Sequence, residues 1–283
     1  MATRSHPTAR QLRLGVELRK LREAAGLTAR ETAALLGVNS TQMTHIETGL
    51  SGVSEVRLRR LAAHYACTDE ALINALVALA TDRTRGWWEE YRGVLPAPFL
   101  DLSELDHHAT FRHDVAVIHV PGLLQTEPYA RALFSYMAPE LPPSELEPRV
   151  EHRMRRRGVI GQPNPIEYKA VIHEAALRIR VSSRSECRTQ LARILELSEM
   201  DHMTVRVIPF NLDNFAGAGS AMAYVGGPVP QLDTVVRDAP HGTGFIDAEA
   251  QLNHFRTLFR KVEAASLDPE QSRDIIQRMA KEL

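Results

Sequence analysis

Residues Thr28 to Glu47 read TARETAALLGVNSTQMTHIE, and this stretch decides how the first part of the chain folds. Thr28 with Glu31 three residues later forms a capping box, in which the hydroxyl accepts from an early helical amide and the carboxylate reaches back to the cap. A short helix is therefore predicted along ETAALL. Gly37 ends it, because glycine takes the left-handed backbone that a tight corner between helices needs. Val38 then tucks under the corner, and Asn39 caps a second helix over about Ser40 to Thr48.

Successive residues on that second helix turn by roughly 100°, which sorts its faces. Met43 and Ile46 share the inward side, while Thr41, Thr44, His45 and Thr48 point away, with Ser40 and Gln42 on the flanks. The outward set mixes donors and acceptors and contains no apolar side chain. Such a face suits the edges of base pairs; an ordinary solvated face is the alternative. The flanking sequence supports a helical domain. Leu14, Leu18, Leu21 and Ala25 recur at helical spacing before Gly26, and Ser54 opens a helix with Val56, Leu58, Leu61, Ala62 and Tyr65 available to a core. Thr68 is the expected cap of the next helix, DEALINALVALA.

Over about residues 11 to 80, and most clearly in LRKLREAAGLTARETAALLGVNSTQMTHIETG, the chain resembles the phage-repressor-like, or XRE, helix-turn-helix family. The resemblance implies that the second helix of the motif enters the major groove of double-stranded DNA while the first crosses the backbone. It assigns base contacts to Ser40, Thr41, Gln42, Thr44 and His45, with Asn39 at the cap, and places Ala29 and Arg30 near phosphate. Arg22 and Glu47 match an internally paired Arg and Glu of the family and take a structural role. Family members often carry a longer or more basic side chain near positions 40 or 45, so Ser40 and His45 leave the operator open.

At 283 residues the chain is far longer than one such module, and a second domain with its own core is expected. Its net charge of −1 is unevenly spread: residues 1 to 80 hold ten Lys or Arg against seven Asp or Glu, a net of +3, which leaves −4 for the rest. This basic excess is modest for nucleic-acid binding. Cys67 and Cys187 fall in different predicted domains and read as free thiols of a reducing cytoplasm. The opening MATRSHPTARQLR has no apolar core, and no run of about twenty apolar residues occurs, so secretion and membrane spanning are not expected.

Composition changes at TDRTRGWWEEYRGVLPAP, giving a helix-turn-helix domain over 1–80, a junction helix over 81–98 carrying Trp87, Trp88 and Tyr91, and a third segment over 99–283. In that segment Val115 to Val120 reads as a buried strand, and Thr126 caps a helix carrying Tyr129, Ala132, Leu133 and Tyr136. A helix near 145–160 holds Arg149, Arg153, Arg155, Arg156 and Arg157, a run expected on a solvated surface, with phosphate contact as the alternative. IEYKAVIHEAAL and MTVRVIPF read as strands joined by a helix from Glu186 to Met200, hence as a parallel crossover. Segments near 220–225 and 232–237 form a hairpin, and two helices over about 247–265 and 268–281 close the chain. The fold class is thus an all-α five-helix N-terminal domain followed by a larger α+β domain with a mixed sheet.

In order, WWEEYRGVLP, VPGLLQTEPYARALF, HEAALR, QLARILEL and TVRVIPF resemble the effector-type domain fused to helix-turn-helix modules in WhiJ-like and antitoxin-like actinomycete regulators. That resemblance implies a small neighbour-encoded protein partner. Signals for an enzyme are weak. His173-Glu174 opens like a zinc-protease motif but lacks the second histidine, no GxxxxGK[ST] loop appears, and the glycines of Phe215 to Ser220 read as a loop. His107, His108, His113 and His119 form the densest imidazole cluster, with scattered histidines as the plain reading and a metal site as the alternative. The function expected is a cytoplasmic, sequence-specific DNA-binding regulator, without catalysis, metal or cofactor. Its second domain serves dimerisation to a homodimer, sensing of a small-molecule effector, or partner binding. The alternatives are an antitoxin-like protein-binding module with DNA autoregulation and an enzyme of unknown reaction in the second domain.

Overall fold

The computed structural model describes residues 7–82, 84–138, 141–213, 215, 221–239 and 242–283. The glycines between Phe215 and Ser220 and the first residues of the chain lie outside these. Two compact units form: residues up to Glu89 together with Val229–Leu232, and Glu90–Pro228 with Asp233–Leu283.

The first unit is helical: α1 (Ala9–Ala24), α2 (Ala29–Leu36), α3 (Ser40–Glu47), α4 (Glu55–His64) and α5 (Glu70–Thr81). Its core gathers Leu14, Leu18, Ala33, Leu36, Met43, Ile46, Leu58, Leu61, Leu72, Ile73 and Leu76, one apolar stripe from each helix. Thr8 and Gln11 form a second capping box at α1. Several positions depart from the pattern expected of them. Ala25 closes α1 and is exposed rather than inward. Val56 is 70% exposed; two residues before Leu58, it turns about 200° away from the face shared by Leu58, Leu61, Ala62 and Tyr65. Asp69, not Thr68, caps α5, its carboxylate accepting from the Leu72 amide at 3.0 Å. Trp87–Tyr91 is one 3₁₀ turn rather than an amphipathic α-helix.

The second unit is built on a six-stranded mixed sheet. In chain order its elements are α6 (Ala97–His108), β1 (Phe111–Ala116), α7 (Glu127–Met137), α8 (Pro143–Arg156), β2 (Glu167–His173), α9 (Glu174–Arg178), α10 (Arg184–Leu197), β3 (Met203–Ile208), β4 (Met222–Gly226), β5 (Thr234–Ala239), β6 (Gly242–Ile246), α11 (Glu249–Ala265) and α12 (Pro269–Glu282). The strand order is β3-β2-β1-β4-β5-β6. The first three strands are mutually parallel and the remaining neighbours antiparallel, so the β2-to-β3 crossover and the β4-β5 hairpin form as expected.

Alternation along the strands gives the sheet two apolar faces. Ala116, Tyr168, Ala170, Ile172, Val205 and Val207 pack with Leu133 of α7, Leu191 and Ile194 of α10 and Ile276 and Met279 of α12. Val115, Val171, Ile208, Tyr224 and Val235 pack with Leu252, Phe255, Phe259 and Val262 of α11. Helices thus cover both sides of the sheet.

The strand expected over Val115 to Val120 instead runs from Phe111 to Ala116. Arg112 and Asp114 make its opening look like surface, yet both are buried and neutralise each other. After Ala116 the chain leaves the sheet, and the Val120 amide donates to the Tyr129 hydroxyl at 3.1 Å. Thr126 precedes α7 as predicted but makes no side-chain cap bond; its amide donates to Gln190 Oε1 at 2.7 Å. Tyr136, in the last turn of α7, is 84% exposed rather than inward. β6 was not expected, because its GTGFI carries no alternating apolar pattern.

Candidate nucleic-acid interface

The presentation of α3 begins with local chain chemistry. Thr28 Oγ1 accepts from the Glu31 amide at 3.2 Å, and Glu31 accepts from the Thr28 amide at 2.8 Å, starting α2. The Thr28 amide, and then the Thr28 hydroxyl at 2.7 Å, donate to the Glu31 carboxylate and hold it below the usual range. Gly37 takes φ 69°, and the Val38 amide bonds the Ala33 carbonyl at 2.9 Å, turning the chain. Asn39 Oδ1 then accepts from the Gln42 amide at 2.7 Å, starting α3.

Met43 and Ile46 are buried beneath α3. On its other side Ser40, Thr41, Thr44 and Thr48 are exposed and Gln42 and His45 half-buried. Thr44 Oγ1 donates to the Ser40 carbonyl at 3.1 Å and Thr48 Oγ1 to the Thr44 carbonyl at 2.8 Å. Those two hydroxyls therefore turn acceptor oxygen outward, while Gln42 carries both a donor and an acceptor. Ala29 is half-buried and Arg30 exposed in the first turn of α2, where helical amides and a cation together favour a phosphate. Asn39 is exposed at the start of α3. The eight residues assigned from the sequence thus lie in the first turn of α2 and in α3 with its cap.

Two close backbone contacts support this face. A β-carbon on Gly15 would stand 2.6 Å from the Glu47 carbonyl carbon and 2.9 Å from the Ile46 oxygen, so α1 and the end of α3 approach backbone to backbone. Gly49, at φ 74°, would likewise put a β-carbon 2.9 Å from the Gln11 oxygen. Gly15 sits in no turn signal, whereas Gly49 follows the end of α3 as a helix-closing glycine does; both close contacts exist only once the chain has folded. Arg22 and Glu47 pair as the family resemblance implied, with Nε to Oε1 at 2.6 Å and Nη2 to Oε2 at 3.0 Å.

The other sequence candidates take structural places. His173 Nδ1 accepts from the Ala175 amide at 3.1 Å, and buried Glu174 accepts from the Phe210 amide at 2.9 Å and from Arg178. His107 and His108 meet edge to face, whereas His113 stacks on Phe259 with its pKa lowered to about 4 by burial. Among the described residues no group of three or more His, Cys, Asp or Glu is arranged to hold a metal ion. Of the arginines expected on a solvated surface, Arg156 departs most, buried against Asp106, and half-buried Arg153 lies over Phe134; Arg155 stays at the surface, gripping exposed Glu90 at 2.6 and 3.2 Å.

A family model described as a helix-turn-helix domain matches residues 13–76, which contain α2, the Gly37 corner and α3. A second, described as a domain of unknown function (DUF5753), matches residues 99–278, more than half of the chain. The chain belongs to the DUF5753 family. Within this DUF5753 protein the first unit is a helix-turn-helix domain of DNA-binding type, and the family's own segment is the sheet-based unit with its helices. No curated protein and no solved structure matches the chain. Among the described residues no helix is long and apolar enough to cross a membrane.

Proposed function

We propose that this chain is a cytoplasmic, sequence-specific transcriptional regulator of the phage-repressor-like type. In this reading α3 reads base edges through Ser40, Thr41, Gln42, Thr44 and His45, while Ala29 and Arg30 approach phosphate. The observation that carries the reading is the sidedness of α3: Met43 and Ile46 bury one side, while the opposite side offers hydroxyl, carboxamide and imidazole groups and no apolar side chain. Rigid support from Gly15, Arg22 and Glu47 keeps that side presented at low entropic cost.

Magnitude favours a homodimer. A good base-reading pair contributes about 1–3 kcal/mol, whereas specific binding exceeds non-specific by about 4–10. One helix with short, uncharged readers barely reaches that range, and two on half-sites about one turn apart do. The sheet-based unit then supplies dimerisation, senses a small-molecule effector, or holds a protein partner, and it binds rather than catalyses. Its resemblance to WhiJ-like and antitoxin-like regulators favours a small neighbour-encoded protein as that partner.

Genome-wide footprinting of the purified protein, with and without the neighbouring small protein, defines the operator and its symmetry. Thr41→Ala with His45→Ala is then compared on the operator and on a scrambled duplex. Selective loss on the operator supports base reading, and equal loss on both refutes it.

A further inference from the structure

Beside β1 and α8 two buried aspartates, Asp106 and Asp114, face two buried arginines, Arg112 and Arg156, and a half-buried third, Arg153. Arg112, 5% exposed, donates to Asp106 through Nη1 at 2.6 Å and to Asp114 through Nε at 2.9 Å. The Tyr168 hydroxyl donates to the second oxygen of Asp114 at 2.6 Å. Both buried acids are thereby engaged with Arg112. Arg156, also 5% exposed, comes next. It reaches Asp106 only at 3.3 Å, and among the described residues neither its Nε nor Asp106 Oδ2 has a hydrogen-bond partner. Arg153, one turn earlier on α8, donates to the carboxamide of buried Gln125 and lies 4.8 Å from the Phe134 ring centroid.

Arg153 and Arg156 converge on one point. A β-carbon on Gly122 would stand 2.8 Å from Arg156 Nη2 and 3.0 Å from Arg153 Nη1, so the two nitrogens are at most 5.8 Å apart, the sum of those distances. Between them lies a backbone position with no side chain. Two like charges this close, Arg156 buried and Arg153 half-buried, repel; burial and Arg156 push Arg153 down to about 9. Asp238 adds attraction from β5, but it is exposed and accepts from Thr243 at 2.8 Å. Arg112, Arg153 and Arg156 against Asp106 and Asp114 leave one positive charge in excess.

We propose that Arg153 and Arg156, above the bare backbone of Gly122, form a binding site for an oxyanion, the carboxylate or phosphate group of a small diffusible ligand. Two guanidinium nitrogens less than 6 Å apart can each donate to one such group at ordinary charge-assisted distances of about 2.8 Å. The anion cancels the excess charge, gives Arg156 Nη2 an acceptor and gives Arg153 Nη1 a second one beside Gln125. This site belongs to the sheet-based unit alone and does not depend on recognition of DNA.

The test uses the full chain. Thermal unfolding is followed during titration with inorganic phosphate and, separately, with acetate, each against chloride at equal ionic strength. A saturable rise in the midpoint beyond chloride is expected with at least one of them, and which one distinguishes a phosphate from a carboxylate ligand. Arg156→Gln weakens that response about tenfold or more, the worth of one hydrogen bond to a charged group. Arg153→Gln removes one of the two charged donors and loses the response, its midpoint with anion being compared with that of the same variant in chloride. Absence of any saturable shift, or an undiminished response in Arg153→Gln, overturns the proposal.

Discussion

The guanidinium of Arg22 bonds both carboxylate oxygens of Glu47, at 2.6 and 3.0 Å, and with its remaining nitrogen donates to the Leu27 carbonyl at 2.7 Å. One side chain thus ties the last turn of α1 to the end of α3 and to the turn ahead of α2, and both partners are buried. Removing one partner strands the other's charge, so Arg22→Ala is expected to cost about 3–5 kcal/mol in urea unfolding. Arg22→Met combined with Glu47→Leu should recover most of that loss. A double variant as unstable as the single one would show that packing, not charge, dominates.

Gly15 sets how closely α1 crosses α3. Alanine there collides with the backbone of Ile46 and Glu47, which cannot rotate away as a side chain could. Gly15→Ala should lower stability by about 1–3 kcal/mol and weaken operator binding more than its melting temperature implies, because α3 must shift. Unchanged operator affinity, measured by fluorescence anisotropy well below the melting temperature, would contradict this.

Arg30 is exposed in the first turn of α2. If it meets a phosphate, Arg30→Ala reduces the slope of log K against log salt by about one and weakens operator and scrambled duplex alike. A slope identical to the parent protein would remove Arg30 from the interface.

His152 is 1% exposed and shares a 3.0 Å hydrogen bond with Ser103 Oγ. Burial, then Arg156, Arg153 and Arg155, hold its pKa down to about 3. Its ring stays neutral in the folded state while the unfolded chain takes up a proton below about 6.5. Stability from this group is therefore complete above about pH 6.5 and falls on acidification toward pH 3, by up to about 1.4 kcal/mol per pH unit. His113, lowered to about 4, acts in the same direction. Urea unfolding across pH 4–7 should show the slope, and His152→Gln should flatten it; an unaltered slope would assign the acid sensitivity elsewhere.

The first unit was the more legible because its signals are local. A Thr and a Glu three residues apart, a glycine at a helix end and an Asn before the next helix act within one turn of chain, and all three form as read. Sheet elements that depend on distant partners read less well. The opening of β1 looks polar because Arg112 and Asp114 are charged, and their pairing with each other and with Asp106 and Tyr168, from other elements, makes their burial tolerable. β6 has no pattern of its own and exists through its ladder with β5. Arg153 and Arg156 read as solvated because nothing near them in sequence discloses Gln125, Phe134 or Asp106 as neighbours.

Covalent order along the chain was enough to establish the helix-turn-helix motif, the polar outward side of α3 and the mixed α+β character of the longer C-terminal segment, since caps, turns and apolar periodicity act over a few residues. Folding in three dimensions alone established the bare contact of Gly15 with the end of α3 and the meeting of Arg153 and Arg156 at Gly122. Close approach and buried charge are properties of pairs far apart in sequence, and neither residue of such a pair carries a mark of the other.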